Sequence, residues 1–106
     1  MPVSIVQDQV AGVTVHELKS HPEPFQSVLE HVKRFEWRRD DRTPRFEVGD
    51  ILLLREWDPS TGLYSGRKLA FRVNYIVRGP AFQVPEGFCI MSIERRWEGS
   101  PKESNP

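Results

Sequence analysis

The spacing of apolar positions changes period along the chain, and each change predicts an element. Val13-Thr14-Val15-His16-Glu17-Leu18 is rich in β-branched residues and closes on polar Lys19-Ser20, which predicts a first strand. Phe25, Val28, Leu29 and Val32 then recur at i, i+3, i+4 and i+7, one apolar stripe of a helix. Pro22 and Pro24 fit only the first turn of that helix, Ser20 with Glu23 reads as a capping box, and the helix should end near His31 or Val32. Beyond it the period falls to two, with strands expected at Arg34 to Arg39, Ile51 to Trp57, Lys68 to Val77 and Phe88 to Arg96. In the third of these, Leu69, Phe71, Val73, Tyr75 and Val77 form the expected core face. Ile51-Leu52-Leu53-Leu54 is apolar on both faces, as in a strand buried between layers or lining a closed barrel.

Turn residues separate these strands. Asp58-Pro59-Ser60-Thr61-Gly62 and Tyr64-Ser65-Gly66 punctuate a hairpin, Val48-Gly49-Asp50 gives a tight lead-in to the buried strand, and Gly79-Pro80 with Pro85-Glu86-Gly87 bracket a loop. One helix between the first two of about five strands predicts an α+β domain with a small, mostly antiparallel, barrel-like sheet. No period is sustained from Met1 to Gly12, and Gly99 to Pro106 has almost nothing to bury. We therefore expect flexible segments at 1–12 and 99–106 around one domain spanning 13–98.

Charge changes the picture locally, not globally. Lys plus Arg equals Asp plus Glu at 15 each, so no whole-molecule field draws the chain to nucleic acid or anionic membrane, and any such binding needs a patch. The stretch from Lys33 to Arg45 supplies one, with six cations against three acids: enough for a few phosphate contacts but not for extended duplex binding. Along an extended strand Phe35 and Trp37 point one way while Arg34, Glu36 and Arg38 point the other, and the alternation favours packing for the aromatics. A carboxylate between guanidinium groups on one face stays ionised and can take up a planar polar group such as a phosphate or a base edge.

The remaining chemistry is sparse. One cysteine, Cys89, excludes an internal disulfide and sits among apolar neighbours, which fits a reducing cytoplasm. No apolar run approaches the ~20 residues of a membrane span, and Met1 to Gly12 lacks a cationic segment followed by an apolar run, so no secretory leader is expected. His21 and His31 lack partners at metal-ligand spacing, so neither a metal nor a cofactor is expected. Trp57 and Tyr64, beside turns, are the better stacking aromatics.

Taken in order, His16-Glu17-Leu18-Lys19, Lys33 with Phe35-Glu36-Trp37-Arg38, Asp41-Arg42, Val48-Gly49-Asp50, Leu54-Arg55-Glu56 and Tyr64-Ser65-Gly66-Arg67 resemble the ASCH-related domains of unknown function in the PUA-like superfamily. The likeness runs over roughly Val13 to Glu94. In the ASCH signature a Gly, any residue, a Lys, two residues, a Glu, any residue and an Arg follow one another. Lys33, Glu36 and Arg38 fall in that register, but His31 stands where the Gly should be and implies an altered turn or a partly blocked mouth.

The resemblance implies a PUA-like β-barrel whose helix exit and following strand line a cleft for RNA, single-stranded nucleic acid or a single, modified or unmodified nucleotide. Its candidate ligand-binding residues are Lys33, Glu36 and Arg38, with His16, Lys19, Arg42, Trp57 and Tyr64 around them. Some ASCH proteins are small hydrolases, including an amidohydrolase of acetylated cytidine and a ribonuclease. For such chemistry Lys33, Glu36 and Glu56 are the candidates, although the amidohydrolases carry a Thr at the position of Glu36. A third expectation is a phage or mobile-element accessory protein presenting its barrel to a host partner.

Overall fold

In the computed structural model, which describes residues 9, 10 and 12–95, seven main elements follow one another. They are β1 (Gln9–Val10), β2 (Val13–Ser20), α1 (Pro22–Leu29), β3 (Phe35–Arg39), β4 (Ile51–Asp58), β5 (Leu63–Arg78) and β6 (Phe88–Arg95), with a short 3-10 turn at Ala81–Gln83. The strands form one sheet in the order β1-β2-β4-β5-β6-β3. Neighbours are antiparallel except β2 and β4, a parallel pair made possible because α1 and β3 carry the chain back between them.

This is the small sheet-rich fold with one helix that the periodicities predict, with an extra short strand ahead of the first expected one. The sheet curls into a half barrel. β3, at one margin, is tied to β2, next to the other, by the Arg38 guanidinium, which donates to the Lys19 carbonyl at 3.0 Å. Inside lie Leu18 from β2, Leu52 and Leu54 from β4, Phe71 and Val73 from β5, and Cys89, Met91 and Ile93 from β6, closed over by Phe25 and Val28 of α1 and by Phe46. Burying Phe25 and Val28 stabilises the helix on the sheet by about 1.5–3 kcal/mol each.

Helix α1 differs from expectation at both ends. Ser20 does not cap it but ends β2, buried, and His21 is the N-cap, with no side-chain cap hydrogen bond. The capping box is dispensable because Pro22 and Pro24 have no N–H, leaving few donors in the first turn to satisfy. The helix stops at Leu29, so Val32 lies past its end and is 76% exposed. His31 takes φ 64°, its amide reaches the Val28 carbonyl at 3.0 Å, and the Val32 amide reaches the Ser27 carbonyl at 2.9 Å: a Schellman ending. The turn that a glycine would make is therefore made by histidine, not altered by it.

Two strands also correct the pattern. In β5 the pairing with β6 slips between Val73, opposite Ile93, and Tyr75, opposite Ser92. The extra residue, Asn74, reverses the alternation, so Tyr75 turns outward at 64% exposure and Ile76 packs on the core in its place. In β3 the faces are the reverse of those expected: Phe35 and Trp37 are 45% and 51% exposed, and Glu36 is 3% exposed. The cause is cross-strand register. Glu36 lies opposite Met91 and Arg38 opposite Cys89, both on the inner face of β6, and paired residues share a face.

The expected flexible ends, 1–12 and 99–106, and the domain limit at 98 fall almost wholly outside the described residues; of the first segment, the described Gln9 and Val10 pair with β2. Among the described residues no helix is long and apolar enough to cross a membrane.

Candidate functional site

The Schellman ending delivers Lys33 to the mouth of β3, and the two-residue period of that strand puts Glu36 and Arg38 on its inner face. Lys33 Nζ donates to Glu36 Oε2 at 2.7 Å and to the Phe35 carbonyl at 2.6 Å. Arg38 Nε donates to Glu36 Oε1 at 3.0 Å, with Nη2 at 2.9 Å from the same oxygen. Each carboxylate oxygen thus holds one cation, which offsets the cost of burying the charge. The ammonium, carboxylate and guanidinium meet.

They meet beside a hollow of about 280 Å³ that they line together with Lys19, His21 and Trp37. A second hollow, of about 380 Å³, lies next to it and is lined by Glu17, Lys19, Arg38, Arg42, Arg55 and Tyr64. Lys19 and Arg38 belong to both, so the two are neighbouring parts of one groove along the β2–β3 seam. The larger hollow gathers four cations against one carboxylate, Glu17, which pairs loosely with Arg55 at 3.5 Å.

Two of those cations, Arg42 and Lys19, are held by partners that do not cancel them. Arg42 Nη1 lies 3.3 Å from His16 Nδ1, and His16 Nε2 lies 2.9 Å from Asp50 Oδ2. An imidazole carrying its proton on Nε2 donates to Asp50 and accepts from Arg42, so it satisfies both. Asp50 also accepts from the amides of Glu47 at 2.9 Å and Thr14 at 3.4 Å. His16 is buried against Phe46, with ring centroids 4.7 Å apart, and lines neither hollow: it positions Arg42. Lys19 Nζ sits 4.3 Å over the Trp57 ring, and the Arg55 guanidinium sits 4.0 Å over Tyr64. Tyr64 reaches the groove, whereas Trp57 stands behind Lys19 and lines neither hollow.

Glu56 is not brought to Lys33. It binds Arg67 and Ser65, and the hydrogen bonds from Arg67 and then Ser65 hold its carboxyl below the usual range. Sequence reasoning missed Asp50 and Arg55, whose neighbours come from the non-local pairing of β2 with β4 and β4 with β5. Asp40, just past β3, is nearly covered and bound by Arg78 at 2.9 Å and Arg45 at 2.9 Å. Burial alone would push its carboxyl up, but the hydrogen bonds and charges of Arg78 and Arg45 outweigh that and hold it below the ordinary carboxylate value. Cys89 lies in the core, where burial pushes its thiol up, away from reactivity.

Two matches relate the chain to known proteins. An "Uncharacterized 12.9 kDa protein in GpA 3'region" of Escherichia phage P2 is 44% identical over 59 residues, which is 56% of this chain and 50% of that protein. The chain thus matches about half the length of this relative. The family model described as "Domain of unknown function (DUF3850)" matches residues 15–93, from β2 into β6, and includes every residue lining the two hollows. By that match the chain belongs to the DUF3850 family.

Proposed function

We propose that this protein is an ASCH-related, PUA-like binding module for RNA or a single, modified or unmodified nucleotide, seated in the groove between β2 and β3. One observation carries the reading: Lys33, Glu36 and Arg38 converge at a hollow that shares Arg38 and Lys19 with a second, cationic one. The smaller hollow, with Trp37 and Phe35 at its rim, suits a base. The larger suits its phosphate, because a guanidinium fork matches phosphate oxygens and Arg42 is fixed but not neutralised. Glu36 serves by fixing Lys33 and Arg38, and its lone pairs not used by them can accept from a base amino group. Hydrolysis is the weaker reading, since Lys33 is bonded to Glu36 and Glu56 is engaged elsewhere.

A binding panel of short RNAs, single-stranded DNA and free nucleotides tests the proposal, with wild type set against Arg38→Ala and Arg42→Ala. Both variants are expected to lose about tenfold or more in affinity, from charge-assisted contacts of about 1.5–3 kcal/mol each. Indifference of every ligand to both substitutions overturns it.

A second reading, a surface for a host protein, is favoured by the outer face of β3, β6 and β5. There Phe35, Ser92 and Tyr75 lie in one cross-strand row beside Trp37, Ile90 and Val77 in the next. Copurification of a stable partner, lost on Trp37→Ser but kept on Arg42→Ala, would favour that reading over the first.

A further inference from the structure

The groove does not end at the Glu36 hollow. A third hollow, of about 290 Å³, lies beyond it and is lined by His31, Lys33, Arg34, Glu94 and Arg95, with Val28, Phe71 and Ile93 beneath. Lys33 lines both, as Lys19 and Arg38 line the first two. The three hollows are therefore linked by shared cations from Arg55 and Arg42 at one end to Arg34 and Arg95 at the other.

Charge along this path is unbalanced although the whole chain is neutral. Seven cations line it (Lys19, Lys33, Arg34, Arg38, Arg42, Arg55 and Arg95) against three carboxylates (Glu17, Glu36 and Glu94), and Glu94 is taken by Arg72. Among the described residues Lys19, Arg34, Arg42 and Arg95 form no ion pair. Histidine holds three of these four. Arg42 lies against His16 Nδ1, Arg34 Nε donates to the His31 carbonyl at 3.1 Å, and Arg95 Nη2 lies 3.0 Å from His31 Nε2. The left-handed turn at His31 thus orients two guanidinium groups without cancelling either.

A mononucleotide occupies one or two such hollows and leaves the Arg34 and Arg95 end without a function. We infer that the ligand is an extended single strand of about three to four nucleotides, its phosphates following the shared cations and its bases meeting Tyr64, Trp37 and Phe35 at the rims. This rests on the nucleotide-binding reading above and extends it to a site for a strand. Duplex is disfavoured, because a neutral chain with cations confined to one seam has no extended basic face.

The test uses the full chain with a length series of single-stranded RNA from one to six nucleotides, plus tripolyphosphate, at several salt concentrations. Affinity is expected to rise by about tenfold or more between the mononucleotide and the tetranucleotide and then level off. The double substitution Arg34→Ala with Arg95→Ala should remove that rise while leaving mononucleotide affinity unchanged, and should flatten the salt slope by about 0.7 for each phosphate that is no longer neutralised. If the mononucleotide binds as tightly as the tetranucleotide and the double substitution changes nothing, while Arg42→Ala still weakens both, the strand inference falls and the nucleotide reading stands. Tripolyphosphate binding as tightly as the tetranucleotide overturns the inference by showing that the bases contribute nothing. Failure of every RNA to bind overturns both.

Discussion

Two buried carboxylates flank the groove, and each fixes an arginine in a different way. Glu36 meets Arg38 directly and shares itself with Lys33, so the positive charge it orients is largely cancelled at the moment it is positioned. Asp50 never touches Arg42: it accepts from two backbone amides and from His16, and the imidazole passes the constraint on. The first arrangement makes a rigid wall, and the second leaves a guanidinium aimed with its charge unspent. A neutral chain can bind a polyanion only if some of its cations are of the second kind.

Removing the anchor of the second arrangement should have the largest effect. Asp50→Ala leaves the Glu47 amide, the Thr14 amide and the His16 ring without their buried acceptor, and a stability loss of about 3 kcal/mol is expected in urea unfolding. Binding should fall with it, since Arg42 loses its orientation. A loss under about 0.5 kcal/mol would mean that Asp50 does not hold His16 in place.

Glu36→Gln probes the wall. The amide keeps the shape but can no longer offer two charged oxygens to Lys33 and Arg38, so about 2 kcal/mol should be lost. In RNA binding the readout is the salt dependence, because Lys33 and Arg38 lose their counter-charge while the amide still accepts from them. Taking a negative charge from the groove should steepen the salt dependence, and an unchanged slope would place Glu36 outside the field felt by the ligand.

A third substitution reaches the loop that carries Arg42. Asp40→Asn removes the carboxylate clamped by Arg78 and Arg45, at a cost of about 1–2 kcal/mol at neutral pH. Because Asp40 is held below its ordinary value in the folded chain, its contribution is present above the ordinary carboxylate range and is lost as pH falls through the lowered folded value. The gap between wild type and Asp40→Asn in unfolding experiments should therefore be widest near neutrality and close under acid. A gap that widens on acidification would reverse the assignment.

The legibility of the molecule divides along the same line as the two carboxylates. Glu36 and Arg38 were readable because they are two residues apart on one strand, and Lys33 because the resemblance supplied its register. Local spacing fixed their mutual placement but not which face turned inward. That choice belonged to Cys89 and Met91, more than fifty positions away on β6. Asp50 was visible as part of a turn and of a resembling motif but not as a site residue, since its partner His16 comes from a parallel pairing that no short-range period announces. Arg34 and Arg95 carried no signal of each other. They meet at His31, which the resemblance placed at a glycine position but which read as altering the turn, whereas it adopts the left-handed backbone itself.

That histidine supports the smallest and most discriminating substitution. His31 occupies a backbone region that costs an L-residue about 1–2 kcal/mol and a glycine nothing. His31→Gly should relieve that cost, offset in part by the freedom glycine gains in the unfolded chain, for a net stabilisation of about 0.5–1 kcal/mol. The same change deletes the ring nitrogen that faces Arg95 while keeping the carbonyl that accepts from Arg34. A more stable protein with weaker tetranucleotide binding and unchanged mononucleotide binding would mean that the strain at this turn is retained for the ligand's sake. A more stable protein that binds every length equally well would reduce His31 to a tolerated substitute for glycine, and the comparison between neutralised and unspent cations would then rest on Arg42 alone.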